Sequence, residues 1–219
     1  MATQIFTSSD TWQAPANVFS VMAECWGGGA TGGTSQGEYG HAGNGGGGGA
    51  YAKSISIIVT PGITYTVTVG GISGTTRFTG DSSVKCEAVG AAGQTGALSS
   101  SCTGDVKYSG GNGGNGGSPN ENFSPGGGGG EGACTTQNGH DAWTDDMYMY
   151  PSPYKGGTGC DGGDGGSATN LNGDPGYVPG GGGAGGSFYW GSKGTGGAGA
   201  AGQINLTWYP SNAFLWQDF

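Results

Sequence analysis

Gly110-Gly111-Asn112-Gly113-Gly114-Asn115-Gly116-Gly117 decides how this chain is read. Glycine recurs there with a spacing near three, and the pattern returns at Gly162-Gly163-Asp164-Gly165-Gly166-Ser167. Further glycine runs fill 45–49, 126–130, 156–166, 180–186 and 194–199. Glycine supplies 56 of 219 residues, about four times ordinary usage. Each ordered glycine costs roughly 0.5–1 kcal/mol relative to alanine. Such runs are therefore either flexible linkers or places where a missing side chain is used. Linkers are rich in Ser, Lys and Glu and poor in aromatics. Here bulky residues follow the runs: Trp143, Tyr148, Tyr177 and Phe188-Tyr189-Trp190. The extended left-handed helix has three residues per turn and rises about 3.1 Å per residue. Without Cβ atoms, such helices pack side by side and satisfy each other's N–H and C=O groups, as buried backbone requires. The runs are expected to be ordered polyglycine II helices. Collagen is disfavoured, because strict Gly-X-Y is absent and prolines number nine.

Outside these runs the signal is β. Short strands are expected at 4–7, 18–26, 50–59, 63–69, 84–89 and 203–209. Trp12 leads into a turn at Ala14-Pro15-Ala16-Asn17. The alternation predicts Phe19, Val21, Ala23 and Cys25 on one inward face, and Ile55, Ile57 and Val59 on the next. Thr60-Pro61-Gly62 is a turn that joins two strands into a hairpin. Ile204, Leu206 and Trp208 alternate with Asn205, Thr207 and Tyr209. No segment has helical periodicity, and about 110 residues before the last strand show almost no periodic apolar signal. The expected fold is all-β: a small antiparallel β-sandwich from residues 1–90 plus 203–219, cut open by a glycine-rich region at 91–202. Phe214, Leu215, Trp216 and Phe219 form an apolar C-terminal tail, which either covers the sandwich or docks on a neighbouring subunit.

Six Lys and Arg stand against fifteen Asp and Glu, a net charge of −9. That disfavours nucleic acid or an anionic membrane as partner. No stretch approaches the roughly 20 apolar residues that span a bilayer. Met1-Ala2-Thr3-Gln4 lacks the basic and apolar regions of a secretory signal. If the protein works outside a cell, it is expected to leave by another route, such as cell lysis. The five cysteines are odd in number and contain no CxxC, so no zinc site is expected. Cys25 and Cys86 read as small buried apolar residues. Cys102, Cys134 and Cys160 fall in loops that could hold one disulfide.

No catalytic constellation emerges. Gly27-x-Gly29-x-x-Gly32 follows a strand, but a chance match is expected in such a chain and no helix follows it. His41 and His140 have no partner implied by spacing. Asp141, Asp145 and Asp146, and separately Asp161, Asp164 and Asp174, read as solvated loop acids rather than glycosidase carboxylates or calcium ligands. The sequon Asn205-Leu206-Thr207 lies in a strand expected to be paired. No metal, cofactor or enzymatic activity is expected. The informative cluster is aromatic. Trp143, Tyr148, Tyr150 and Tyr154 crowd the segment 140–154, and Tyr189 and Trp190 form a second group. Tyr and Trp give large contact area at low entropic cost. They either present a binding surface or fold back over the glycine helices.

Two pieces carry a family resemblance: FTSSDTWQAPANVFSVMAECWGGGATGG (6–33) and GGGGGAYAKSISIIVTPGITYTVTVGG (45–71). They look like the glycine-rich modules of bacteriophage tail-fibre and tail-associated proteins, and with the last strand cover roughly half the chain. The second half is similar in composition to the receptor-binding adhesins at the fibre tips of T-even-like phages. That resemblance implies a non-enzymatic virion protein, exposed on the particle and assembled in the host cytoplasm. Its partners would be other fibre, tail or capsid subunits and a host cell-surface protein or glycan. A homo-oligomer or attachment to an oligomeric fibre would follow. Receptor contact would fall to Trp143, Tyr148, Tyr150, Tyr154, Tyr189 and Trp190, and assembly to the C-terminal tail. A structural virion subunit without receptor contact is the alternative; an ice-binding or wall-associated protein ranks lower. The separate fibre-attachment domain of those adhesins is not seen here.

Overall fold

A computed structural model describes residues 1–36, 41–81, 83–117, 123–143, 155–159, 162–163, 165–166 and 171–210. It is all-β and its strands pair antiparallel. One 3-10 turn, Ser99–Ser101, is the sole helical piece among the described residues. The first sheet has five strands in the order β1 (Ala2–Phe6), β12 (Gln203–Trp208), β3 (Ser20–Trp26), β4 (Tyr51–Ile58) and β8 (Val106–Tyr108). The second has four, in the order β2 (Asp10–Gln13), β5 (Thr64–Thr68), β6 (Thr76–Thr79) and β7 (Val84–Ala88). Phe6, Val21, Ala23, Ile57, Ile204 and Leu206 from the first sheet meet Trp12, Tyr65, Val67, Phe78 and Cys86 from the second in one buried core. Trp12 sits 5.3 Å from Trp208 across the gap, ring to ring. Cys25 and Cys86 are both fully buried, and the Cys86 thiol donates to the Ala52 carbonyl at 3.4 Å. They fill the core as small apolar residues. Cys134 is disulfide-bonded, and Cys102 is a free thiol.

The last strand closes the sandwich across nearly the whole chain. It lies between β1 and β3, with Leu206 opposite both Gln4 and Ala23. Two inward assignments fail. Phe19 and Ile55 are exposed, at 61% each. Val21 pairs with Ile57 but Ala23 pairs with Ser54, so β4 carries one extra residue at a bulge. The bulge reverses the alternation and turns Ile55 outward. At Phe19 the strand has not begun; a turn in which the Val18 amide donates to the Pro15 carbonyl buries Val18 instead.

The glycine runs are rods packed in register. Along 45–50, successive amides donate to three neighbours in rotation. Gly45 reaches the carbonyl of Gly114 at 2.9 Å, Gly46 that of Gly183 at 2.8 Å, and Gly47 that of Gly93 at 2.9 Å. The cycle then repeats through Gly48 to Gly111, Gly49 to Gly180 and Ala50 to Val89. That period of three belongs to the polyglycine II helix. Carbonyls of the same rod accept from two further rods: the Ala30 amide donates to Gly47, and the Gly130 amide donates to Gly46. A Cβ placed on Gly45, Gly46, Gly47, Gly48 or Gly49 would lie 1.8–2.3 Å from a backbone oxygen of a neighbouring rod. No side chain fits there.

The rods are direct continuations of the strands. Residues 27–35 leave β3, 43–50 return into β4, 89–97 leave β7, 110–117 leave β8, and 194–202 return into β12. Sheet and rods are joined by a second buried cluster. The Trp26 indole N–H donates to the Ala133 carbonyl at 3.0 Å, Trp26 packs 4.9 Å from Tyr51, and the Tyr51 hydroxyl donates to Glu24 at 2.7 Å. The glycine-rich stretch also carries β8 and a three-stranded sheet in the order β11 (Ser192–Lys193), β10 (Phe188–Tyr189), β9 (Phe123–Ser124). Strands of two or three residues leave no periodic trace in sequence.

Candidate functional site

The rod 180–187 leads away from the sandwich and the rod 194–202 leads back. Gly49, just before β4, donates to Gly180, whereas Gly43 donates to Gly186. The connection between them, β10 and β11, therefore stands at the end of the bundle remote from the sandwich. Tyr189 pairs with Ser192, which leaves a two-residue turn, Trp190-Gly191. Both turn residues have positive φ, 45° and 80°, as a type I′ hairpin turn requires. Asn-Gly is the favoured pair for such a turn; a bulky residue there is a genuine outlier. Phe188 anchors the hairpin, buried to 3%. Tyr189 and Trp190 project, 54% and 66% exposed, with rings edge to face at 6.4 Å.

Trp143 is the other described member of the aromatic set. It is 69% exposed, on a segment that runs beside the rod 110–117: Gly139 donates to Ser109 and Ala142 to Asn112. No ring contact joins it to Tyr189 or Trp190 among the described residues. Tyr177, 62% exposed, lies by the turn that opens the rod 180–187, where Gly181 donates to its carbonyl. That places it at the sandwich end, away from the hairpin. Tyr148, Tyr150, Tyr154, Phe214, Leu215, Trp216 and Phe219 lie outside the described residues.

A feature that sequence spacing did not suggest lies on the segment that precedes Trp143. Gly96, Leu98, Ser109, Gly110, Asn112 and residues 137–141 border an open groove of about 580 Å³. Glu131 stands behind it, fully buried in the rod 126–133. Its Oε2 lies 2.6 Å from His140 Nδ1 and accepts from the His140 backbone N–H at 3.0 Å. The Gln137 side-chain amide lies 3.3 Å from the other ring nitrogen. Asp141, from the first acidic group, lines the same groove and accepts from the Asn112 amide at 2.6 Å. Among the described residues no cluster of His, Cys, Asp and Glu could hold a metal ion.

The fold and this site define an all-β glycine-rich module, in which polyglycine helices prolong a β-sandwich and hold aromatic side chains at their far end. The sequence profile of the glycine-rich domain family matches residues 4–209, and the chain belongs to that family. No curated protein matches the sequence.

Proposed function

We propose that the protein is a non-enzymatic bacteriophage virion protein, an adhesin of a tail fibre or spike that contacts a host surface receptor. The observation that carries this reading is the hairpin tip. A tryptophan occupies a left-handed turn position that favours asparagine or glycine, and its ring faces solvent. Sparsely populated backbone conformations persist where the surroundings enforce them, and they cluster at functional sites. The tip stands on hydrogen-bonded rods, so little ordering remains to be done on binding, and association costs fall accordingly. The charge of −9 suits a protein or glycan partner better than nucleic acid. The resemblance of 6–33 and 45–71 to phage tail modules supplies the setting: assembly with other virion subunits, exposure on the particle, and an oligomeric fibre as mount. Tyr148, Tyr150 and Tyr154 belong to the proposed contact set with Trp143, Tyr189 and Trp190. Phe214, Leu215, Trp216 and Phe219 are proposed to mediate assembly.

The test is adsorption. Purified protein should bind host cells and block phage attachment, and the Tyr189→Ala, Trp190→Ala double variant should lose both effects while melting cooperatively. Unchanged cell binding by that variant refutes the hairpin as contact site. Absence of the protein from purified particles refutes the virion assignment. The second reading, a structural subunit, is favoured if truncation after Pro210 stops incorporation into particles and the intact protein never binds cells.

A further inference from the structure

The groove lined by Asn112, Asn138, His140 and Asp141 is a separate polar site, and the geometry points to a neutral saccharide as its ligand. Gly96, Gly110 and Gly139 line it, held in place by the packing of the rods against one another. Its polar side chains are fixed in advance. Asn112 Oδ1 accepts from the Gly96 amide at 3.0 Å, and Asn138 Oδ1 accepts from the Ser109 amide at 2.9 Å. Each asparagine is thereby held with its side-chain NH2 unengaged by any described residue. Asp141 Oδ1 is held by the Asn112 amide, and its second oxygen has no partner among the described residues. His140 is pinned from behind by Glu131, with half of its side chain in solvent.

Two oriented NH2 donors and a carboxylate acceptor in one groove match the hydroxyls of a sugar, each of which can accept one bond and donate another. The other ligand classes fit worse. Asp141 and the net charge of −9 oppose an anion. Among the described residues Leu98, 56% exposed, is the sole large apolar side chain lining the groove, too little to hold an apolar ligand. The site shares no residue with the hairpin and does not depend on the virion reading.

The experiment is an amide chemical-shift titration of the whole protein with maltotriose and with lactose, each at millimolar concentration. One or both sugars should move the resonances of Gly96, Gly110, Gly139 and His140. Asp141→Asn retains an oxygen for the Asn112 amide, and Asn138→Ala removes one donor. Each should weaken binding by about tenfold, the worth of one or two lost hydrogen bonds. Trp190→Ala should leave the titration unchanged and abolish only cell binding, which separates this site from the hairpin. The inference is overturned if neither sugar moves those amides, or if Asp141→Asn binds as tightly as the parent. It is equally overturned if a neutral Gly-Ser peptide shifts them more than either sugar.

Discussion

Glu131 and His140 are joined by three hydrogen bonds. The Glu131 carboxylate accepts from the His140 ring and backbone, at 2.6 and 3.0 Å, and the Glu131 backbone N–H donates to the His140 carbonyl at 3.0 Å. Glu131 follows a run of five glycines and meets a cation-capable partner, His140, on an adjoining segment. A charged group tolerates full burial when it is paired and hydrogen-bonded, and this contact ties the 137–143 segment to the bundle.

Removing the carboxylate should therefore be felt beyond one side chain. Glu131→Ala removes the one oxygen that holds both the ring and the backbone N–H of His140, and hydrogen bonds to a charged group contribute about 1.5–3 kcal/mol each. A loss of about 2–4 kcal/mol in urea unfolding is expected, with Glu131→Gln costing less because its amide oxygen still accepts. Equal stability of Glu131→Ala and the parent would show that the pair is incidental.

The rods give a sharper contrast. A Cβ on Gly48 would lie 1.9 Å from the Glu131 carbonyl oxygen, with main chain as the obstacle. Gly48→Ala must push two rods apart and break their register, so a loss above the usual overpacking cost of about 1–3 kcal/mol is expected. Gly71 has nothing within 4 Å of the same ideal position. Gly71→Ala should change stability by less than about 0.5 kcal/mol. Thermal melts of the two variants decide the matter, and similar midpoints would mean that the rods are not close-packed.

Alkaline pH should loosen the sandwich. Burial pushes the Cys25 thiol well above its ordinary range, and the adjoining Cys86 side chain adds to the shift. Burial moves Cys102 the same way, and burial together with a hydrogen bond to Asp81 raises Tyr65. A group raised in the folded state keeps its proton while the unfolded chain loses it, so stability is intact below the unfolded value and falls above it. For the thiols that fall begins near pH 8.5, at up to about 1.4 kcal/mol per pH unit for each group. Melting points should be level from pH 7 to 8 and drop by pH 10. Cys25→Ala should flatten part of the decline, and an unaltered slope would exclude that thiol as a cause.

The sequence makes the rods and the closing strand legible for one reason: period. Spacing near three in 110–117 and alternation at Ile204 and Leu206 are both geometric imprints, and both reappear in the hydrogen bonds. The groove had no such imprint. Glu131 and His140 are nine residues apart across the turn that joins two rods, and no helical or strand spacing marks that separation. Ile55 misleads because a bulge adds a residue without changing composition. Trp12 reads as the lead into a turn, yet it is 3% exposed in a four-residue strand of the core. The hairpin turn escapes notice because Trp190-Gly191 stands where Asn-Gly would have announced it.

That substitution yields the last expectation. Trp190 holds φ at 45°, and an L-residue other than glycine, asparagine or aspartate gives up about 1–2 kcal/mol in the left-handed region. Its ring is mostly in solvent and recovers little of that by burial. Trp190→Asn should then raise the stability of the 188–193 hairpin, read as slower amide exchange at Gly194, whose N–H donates to the Ser187 carbonyl across the hairpin. If the tip is the receptor contact, the same variant should adsorb to cells far more weakly. Stability and binding would thus move in opposite directions from one substitution, as expected where strain is retained for a use. A variant that is less stable than the parent would show that the indole ring supports the hairpin, and the argument from strain to function would fail.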